Sequence, residues 1–211
     1  MRLGYRFVTG TLRLFFNLLH NHKVYGLENL PKGPAIIAPN HLSLYDPPII
    51  GASINEELHY LAKQELFEYP LLGTLIRSLN SHPVTGGGQE LQSLKLICKL
   101  LQSGKKVVIF PEGARSPDGE ILPLKTGVSM LALRCNVPIV PVSIQGSFEI
   151  WPIHEKWPKL SGNTTCTIGK PIYPEEFSSM KKHEAMDALT EELKQALLGL
   201  QKKGQCVVHA L

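Results

Sequence analysis

Among the 211 residues there are only four cysteines, and no block of one charge sign. Cys98, Cys135, Cys166 and Cys206 lie far apart, with no paired CxxC spacing. Zinc ribbons and redox dithiols need closely spaced thiols, so both are excluded. Such usage fits a reduced, cytosol-facing chain, with Cys98 and Cys135 filling apolar helical patterns. Charge is sparse too: 22 Lys+Arg against 18 Asp+Glu leave a formal charge of +4, too little to indicate a nucleic-acid partner. Apolar residues make up 43% and charged ones 19%, which excludes a disordered tail or a coiled coil. The length suits one domain, large enough to bury its own core without disulfides.

A long uninterrupted apolar run is missing as well. The first twenty residues come nearest, with Leu12, Leu14, Phe15, Phe16, Leu18 and Leu19, but Arg13 breaks them near the middle. No small-residue cleavage site follows, so a secretory signal is excluded. With Arg2, Arg6 and Arg13 and no acid, residues 1–22 read as an amphipathic helix in a membrane interface, arginines toward lipid phosphates. Packing on its own domain through Leu12, Phe15, Phe16 and Leu19 is the alternative.

Beyond residue 22 strands and helices alternate. Residues 35–38 form a short apolar run between Gly33-Pro34 and Pro39-Asn40, the pattern of a buried strand. Asp46-Pro47-Pro48 predicts a helix start, with Asp46 as cap. Residues 59–62 suggest a strand, and residues 64–80 helical pieces broken at Tyr69-Pro70. A helix follows over 89–103, then a strand over 107–110 and a helix over 126–135. Residues 137–144 read as a strand whose two prolines suggest an edge or irregular position. Residues 164–168 alternate as a strand, and 174–203 carry a long amphipathic helix. The expected fold is therefore α/β: a single domain with a central mixed sheet flanked by helices, plus the N-terminal interfacial helix. Its predicted bounds are 1–22 for that helix, 23–204 for the domain and 205–211 for a tail.

Two constellations sit at predicted strand ends, where α/β folds place reactive groups. In Asn40-His41-Leu42-Ser43-Leu44-Tyr45-Asp46, a turn could bring the Asp46 carboxylate to the His41 imidazole. Such a carboxylate sets the tautomer and stabilises the imidazolium of a general base. Spacing alone equally allows a capping Asp near an unrelated surface His. In Phe110-Pro111-Glu112-Gly113-Ala114-Arg115-Ser116, Arg115 could fork onto a phosphate, Gly113 allow close backbone approach, and Glu112 hold a hydroxyl. A tight turn closed by a Glu–Arg pair is the other reading.

Taken in order, these motifs resemble the 1-acylglycerol-3-phosphate acyltransferase family. NHLSLYD is similar to that family's NHxxxxD, FPEGARS to its FPEGTRS with Ala114 for Thr, and VPIVPV at 137–142 to its fourth motif. Residues 61–66 resemble its AKKEL stretch and Lys125-Thr126-Gly127 its FKxG. The resemblance spans roughly residues 25–175. It implies that His41 and Asp46 are catalytic, and that Glu112, Gly113 and Arg115 bind the glycerol-phosphate acceptor with Lys63 as a second phosphate contact. Pro138 and Pro141 would shape the acyl-donor side. It further implies no metal and no cofactor, an acyl thioester of coenzyme A or acyl carrier protein as co-substrate, and a lysophospholipid acceptor. The setting would be peripheral or monotopic on the cytoplasmic face of a membrane. The expected reaction acylates the sn-2 hydroxyl of 1-acylglycerol 3-phosphate to give phosphatidate. One departure bears on the acceptor: the family's second motif ends in a phosphate-binding arginine, whereas here His82-Pro83-Val84-Thr85 runs into Gly86-Gly87-Gly88. Those glycines suit either an anion-binding nest or a loose turn. Glycerol 3-phosphate or another lysophospholipid is therefore the alternative acceptor, and a fold-retaining scaffold or a thioester hydrolase the alternative classes.

Overall fold

Ala35–Pro39 is the strand around which the chain is organised, and all five of its residues are buried. A parallel strand covered on both faces needs a continuous apolar run rather than alternation, and AIIAP supplies it. In this computed structural model, which describes residues 1–84 and 90–208, that strand is β2 of a seven-stranded sheet. The others are β1 (Lys23–Tyr25), β3 (Leu58–Lys63), β4 (Ser81–Val84), β5 (Lys106–Val108), β6 (Ile139–Gln145) and β7 (Thr165–Ile168). Their order is β1-β7-β6-β2-β5-β3-β4. All pairings are parallel except β6 with β7, which makes the sheet mixed as expected.

Two apolar layers cover it. Ile36 and Ala38 face a core completed by α4 (Glu90–Gln102), α5 (Gly127–Cys135) and α7 (Lys182–Val208). Ala35 and Ile37 face a second core with α1 (Leu3–His20) and α2 (Asp46–Ser53). A short α3 (Pro70–Ser78) joins β3 to β4 after a 3₁₀ turn over Gln64–Phe67, and α6 (Ser147–Ile150) follows β6.

Three expectations need correcting. The proline-bearing strand is not at an edge: β6 lies between β7 and β2 with all seven residues buried. Pro141 is tolerated because it sits just beyond the last β6–β7 register pair, where its carbonyl still accepts the Gly169 N–H at 2.8 Å. Asp46 caps nothing in its own helix, which starts without a side-chain cap bond. Nor do the arginines of α1 all reach outward. Arg13 Nε donates to the Ala52 carbonyl of α2 at 2.8 Å, and the Arg2 guanidinium bonds the Asn80 side chain.

α1 carries two apolar stripes. Tyr5, Thr9, Phe16 and His20 are buried against the domain. Leu3, Phe7, Leu14 and Leu18 fall on the opposite side at 100° per residue and are 59–83% exposed. No described helix is long and apolar enough to cross a membrane. The glycine run at 86–88 and the end of the predicted tail lie outside the described residues.

Candidate active site

Parallel β2 and β5 are neighbours, so the segments leaving their carboxyl ends emerge side by side. The first carries the histidine motif and the second the FPEGARS turn. Asn40 pins the first segment: its amide exchanges hydrogen bonds with β6, donating to the Ile144 carbonyl at 3.0 Å and accepting the Ile144 N–H at 2.7 Å. The chain then turns back so that Asp46, wholly buried, reaches its own approach. Its Oδ2 accepts from His41 Nδ1 at 2.9 Å and from the backbone N–H groups of Leu42 and Ser43 at 2.6 and 2.7 Å. Of the two places the sequence allowed Asp46, a helix cap and a seat behind His41, the carboxylate takes the second and clasps the turn behind the imidazole. With Nδ1 committed to Asp46, Nε2 is the nitrogen left to take a proton. The His41 side chain is 18% exposed.

The FPEGARS turn is bound directly to that histidine. Glu112, 3% exposed, accepts the His41 backbone N–H on Oε1 and the Leu122 N–H on Oε2, both at 2.7 Å. The His41 carbonyl in turn accepts the Ser116 N–H at 2.8 Å. Burial, with a smaller push from nearby Asp46, raises the Glu112 carboxyl to about 7 against the pull of its two N–H donors. Phe110 stacks on the imidazole with ring centroids 4.0 Å apart. Gly113 has φ +73°, a conformation that favours glycine. Ser43 Oγ donates to the Trp151 carbonyl at 2.9 Å, and the Tyr45 ring packs edge-on against Trp151.

His41, Asp46, Glu112 and the turn bearing Gly113 and Arg115 therefore meet. Lys63 ends β3 and has Val84 of β4 as its register partner, so the second-motif stretch runs out beside it. Among the described residues neither Lys63 nor Arg115 forms an ion pair. Phe110 as a platform for the imidazole escaped the sequence reading, although its place at the strand end before Pro111 was a usable signal. A cavity of about 600 Å³ has Leu42 in its wall. Asp118, Glu120, Glu149 and Glu155 are in its wall, with Lys159 as the basic residue among them. No three described His, Cys, Asp or Glu side chains group to hold a metal ion.

A buried carboxylate hydrogen-bonded behind a histidine at the end of a parallel strand is the arrangement of a general-base site on an α/β sheet. The chain belongs to the acyltransferase family, whose profile it matches over residues 21–145. It is 32% identical to a 1-acyl-sn-glycerol-3-phosphate acyltransferase of Bacillus subtilis, over 94% of this chain and 98% of that one. A chloroplastic relative of the same name from Brassica napus is 30% identical over 71% of this chain, which spans 44% of that longer protein. The crystal structure of the 1-acyl-sn-glycerophosphate acyltransferase PlsC from Thermotoga maritima superposes with a TM-score of 0.73 at 30% identity. That superposition covers 93% of this chain and 81% of that one.

Proposed function

We propose that the protein transfers a fatty acyl group from a thioester to the sn-2 hydroxyl of 1-acylglycerol 3-phosphate, forming phosphatidate. The observation that carries this reading is the 2.9 Å contact between His41 Nδ1 and the buried Asp46 carboxylate, beside the turn that bears Arg115. His41 Nε2 takes the acceptor's hydroxyl proton as that oxygen attacks the thioester carbonyl carbon. The tetrahedral intermediate collapses with loss of the C–S bond, and the imidazolium returns its proton to the departing sulfur. Asp46 stabilises the imidazolium formed between these steps. Glu112 holds His41 and the FPEGARS turn in one frame, while Arg115 and Lys63 face the acceptor's phosphate. The donor is an acyl thioester of coenzyme A or of acyl carrier protein.

The missing arginine after Val84 is the observation behind a second reading, in which glycerol 3-phosphate or another lysophospholipid is the acceptor for the same chemistry. Lysolipids reside in bilayers, so the site belongs at an interface. The outer stripe of α1 would lie among acyl chains on the cytoplasmic face of a membrane while Phe16 and His20 stay packed on the domain.

The test incubates purified protein with detergent-dispersed lysophosphatidate and palmitoyl thioesters of both carriers, following products by mass spectrometry beside His41→Ala. Phosphatidate from the wild type, reduced roughly 10²–10⁴-fold in the variant, is expected. Glycerol 3-phosphate acylated in preference to lysophosphatidate selects the second acceptor, and free fatty acid alone refutes a transferase.

A further inference from the structure

Lysophosphatidate brings a dianionic headgroup, and the second-motif arginine that would meet it is absent. A cation from another element lies on the FPEGARS turn itself. The Lys125 N–H donates to the Pro111 carbonyl at 2.9 Å, fixing its backbone to the turn. Three residues earlier the Leu122 N–H is held by Glu112, the same carboxylate that holds His41. The Lys125 side chain then runs across Gly113: a Cβ on that glycine would fall 2.7 Å from Nζ, 3.0 Å from Cε and 3.2 Å from Cδ. Gly113 thus serves twice, allowing a left-handed turn and leaving a track for the lysine.

The ammonium has no local reason to be there. Thr126, the next residue, starts α5 without a side-chain cap bond, and the first turn of α5 contains no acid. A cation at the positive end of a helix is unfavourable by itself. Among the described residues Lys125 has no carboxylate partner, and Arg115 on the same turn has none either. Lys125 across Gly113, and Arg115 two residues along that turn, are cations without a carboxylate partner among the described residues, beside a turn hydrogen-bonded to His41, a setting that favours an anion.

We propose that Lys125 is a ligand of the acceptor phosphate, sharing it with Arg115. The proposal rests on the acyltransferase reading above and extends it by one binding residue. Lys125 is exposed, so its replacement leaves the core intact. Lys125→Gln should raise KM for lysophosphatidate, and Ki for glycerol 3-phosphate as competitor, by roughly 10- to 100-fold, as for loss of a charge-assisted bond. Its kcat should change less than about threefold, and Lys125→Arg should restore most of the affinity. With monoacylglycerol, which lacks the phosphate, Lys125→Gln and wild type should react at equal rates. Lys170→Gln, at an exposed lysine just after β7, is the charge control and should behave as wild type. An unchanged KM in Lys125→Gln, or a fall in kcat alone, overturns the proposal. If the wild type makes no phosphatidate, the acceptor reading itself fails, and thermal protection by glycerol 3-phosphate decides the lysine's role. Protection of the wild type that Lys125→Gln loses supports it; equal protection of both, or none of the wild type, refutes it.

Discussion

Replacing Asp46 by asparagine separates the two tasks this side chain performs. One oxygen, Oδ2, accepts three hydrogen bonds, two from the backbone of Leu42 and Ser43 and one from His41 Nδ1. An asparagine oxygen in that position can accept all three, so the turn survives. What disappears is the negative charge behind the imidazole. At a charge separation of about 4 Å and an effective dielectric near 20, that charge stabilises an imidazolium by roughly 4 kcal/mol. The transition state, in which His41 carries most of a positive charge, should rise by nearly this amount. The expected outcome is kcat lowered about 10³-fold at pH 7, with KM for lysophosphatidate little changed. Alanine makes the contrasting variant. It strands two buried N–H groups at about 1–3 kcal/mol each, so Asp46→Ala should also unfold at lower denaturant. The assay measures initial rates of phosphatidate formation, with urea unfolding of all three proteins as control. A folded Asp46→Asn enzyme within a few-fold of wild-type kcat would mean that the carboxylate only shapes the turn, and the dyad mechanism would be wrong.

Other consequences follow from the same geometry. Leu14→Glu with Leu18→Glu should weaken partition to anionic vesicles by about 10²-fold or more, since each leucine contributes up to 1.5–3 kcal/mol on burial, without changing the melting temperature. Undiminished sedimentation with vesicles would count against the outer stripe as a membrane face. His22 bridges Thr164 and Ser53, and burial lowers its pKa to about 4. Its stabilising contribution is therefore full above pH 6.5 and is lost as pH falls toward 4, by at most about 1.4 kcal/mol per unit. His22→Gln should flatten urea midpoints over that range, and an unchanged slope would contradict the assignment. Glu112 acts in the opposite sense, because its folded pKa is raised to about 7. Its contribution is full below 4.5 and declines as pH rises through 7, so Glu112→Gln should remove that decline. The two trends partly cancel in the wild type, which is why the single variants are the informative measurement.

The elements legible in the sequence were those whose local pattern and burial agree. The run at 35–38 could be only a strand buried on both faces, and the period over 89–103 only an amphipathic helix. Both stand where expected, within a residue or so at their ends. β1 and β4 were not legible, because three or four residues carry no period of their own. They are strands because β7 and β3 offer open edges to pair with. The two prolines of residues 137–144 likewise pointed to an edge or irregular position for that strand. Burial on both faces put it near the centre, the prolines falling where the ladder does not need their N–H.

At the site, the sequence by itself picked out the candidate residues, since His41, Asp46, Glu112 and Arg115 stand in two motifs whose chemistry is local to each. Tertiary structure decided what those groups do to one another. Asp46 turned inward to the imidazole because three donors, all from residues 41–43, converge on one oxygen, which a helix cap could not offer. Glu112 took the backbone of His41 and Leu122, contacts 71 and 10 residues away in the chain. Such pairings depend on which strands are neighbours, and sheet order is set by the packing of the whole domain rather than by any segment's own preference.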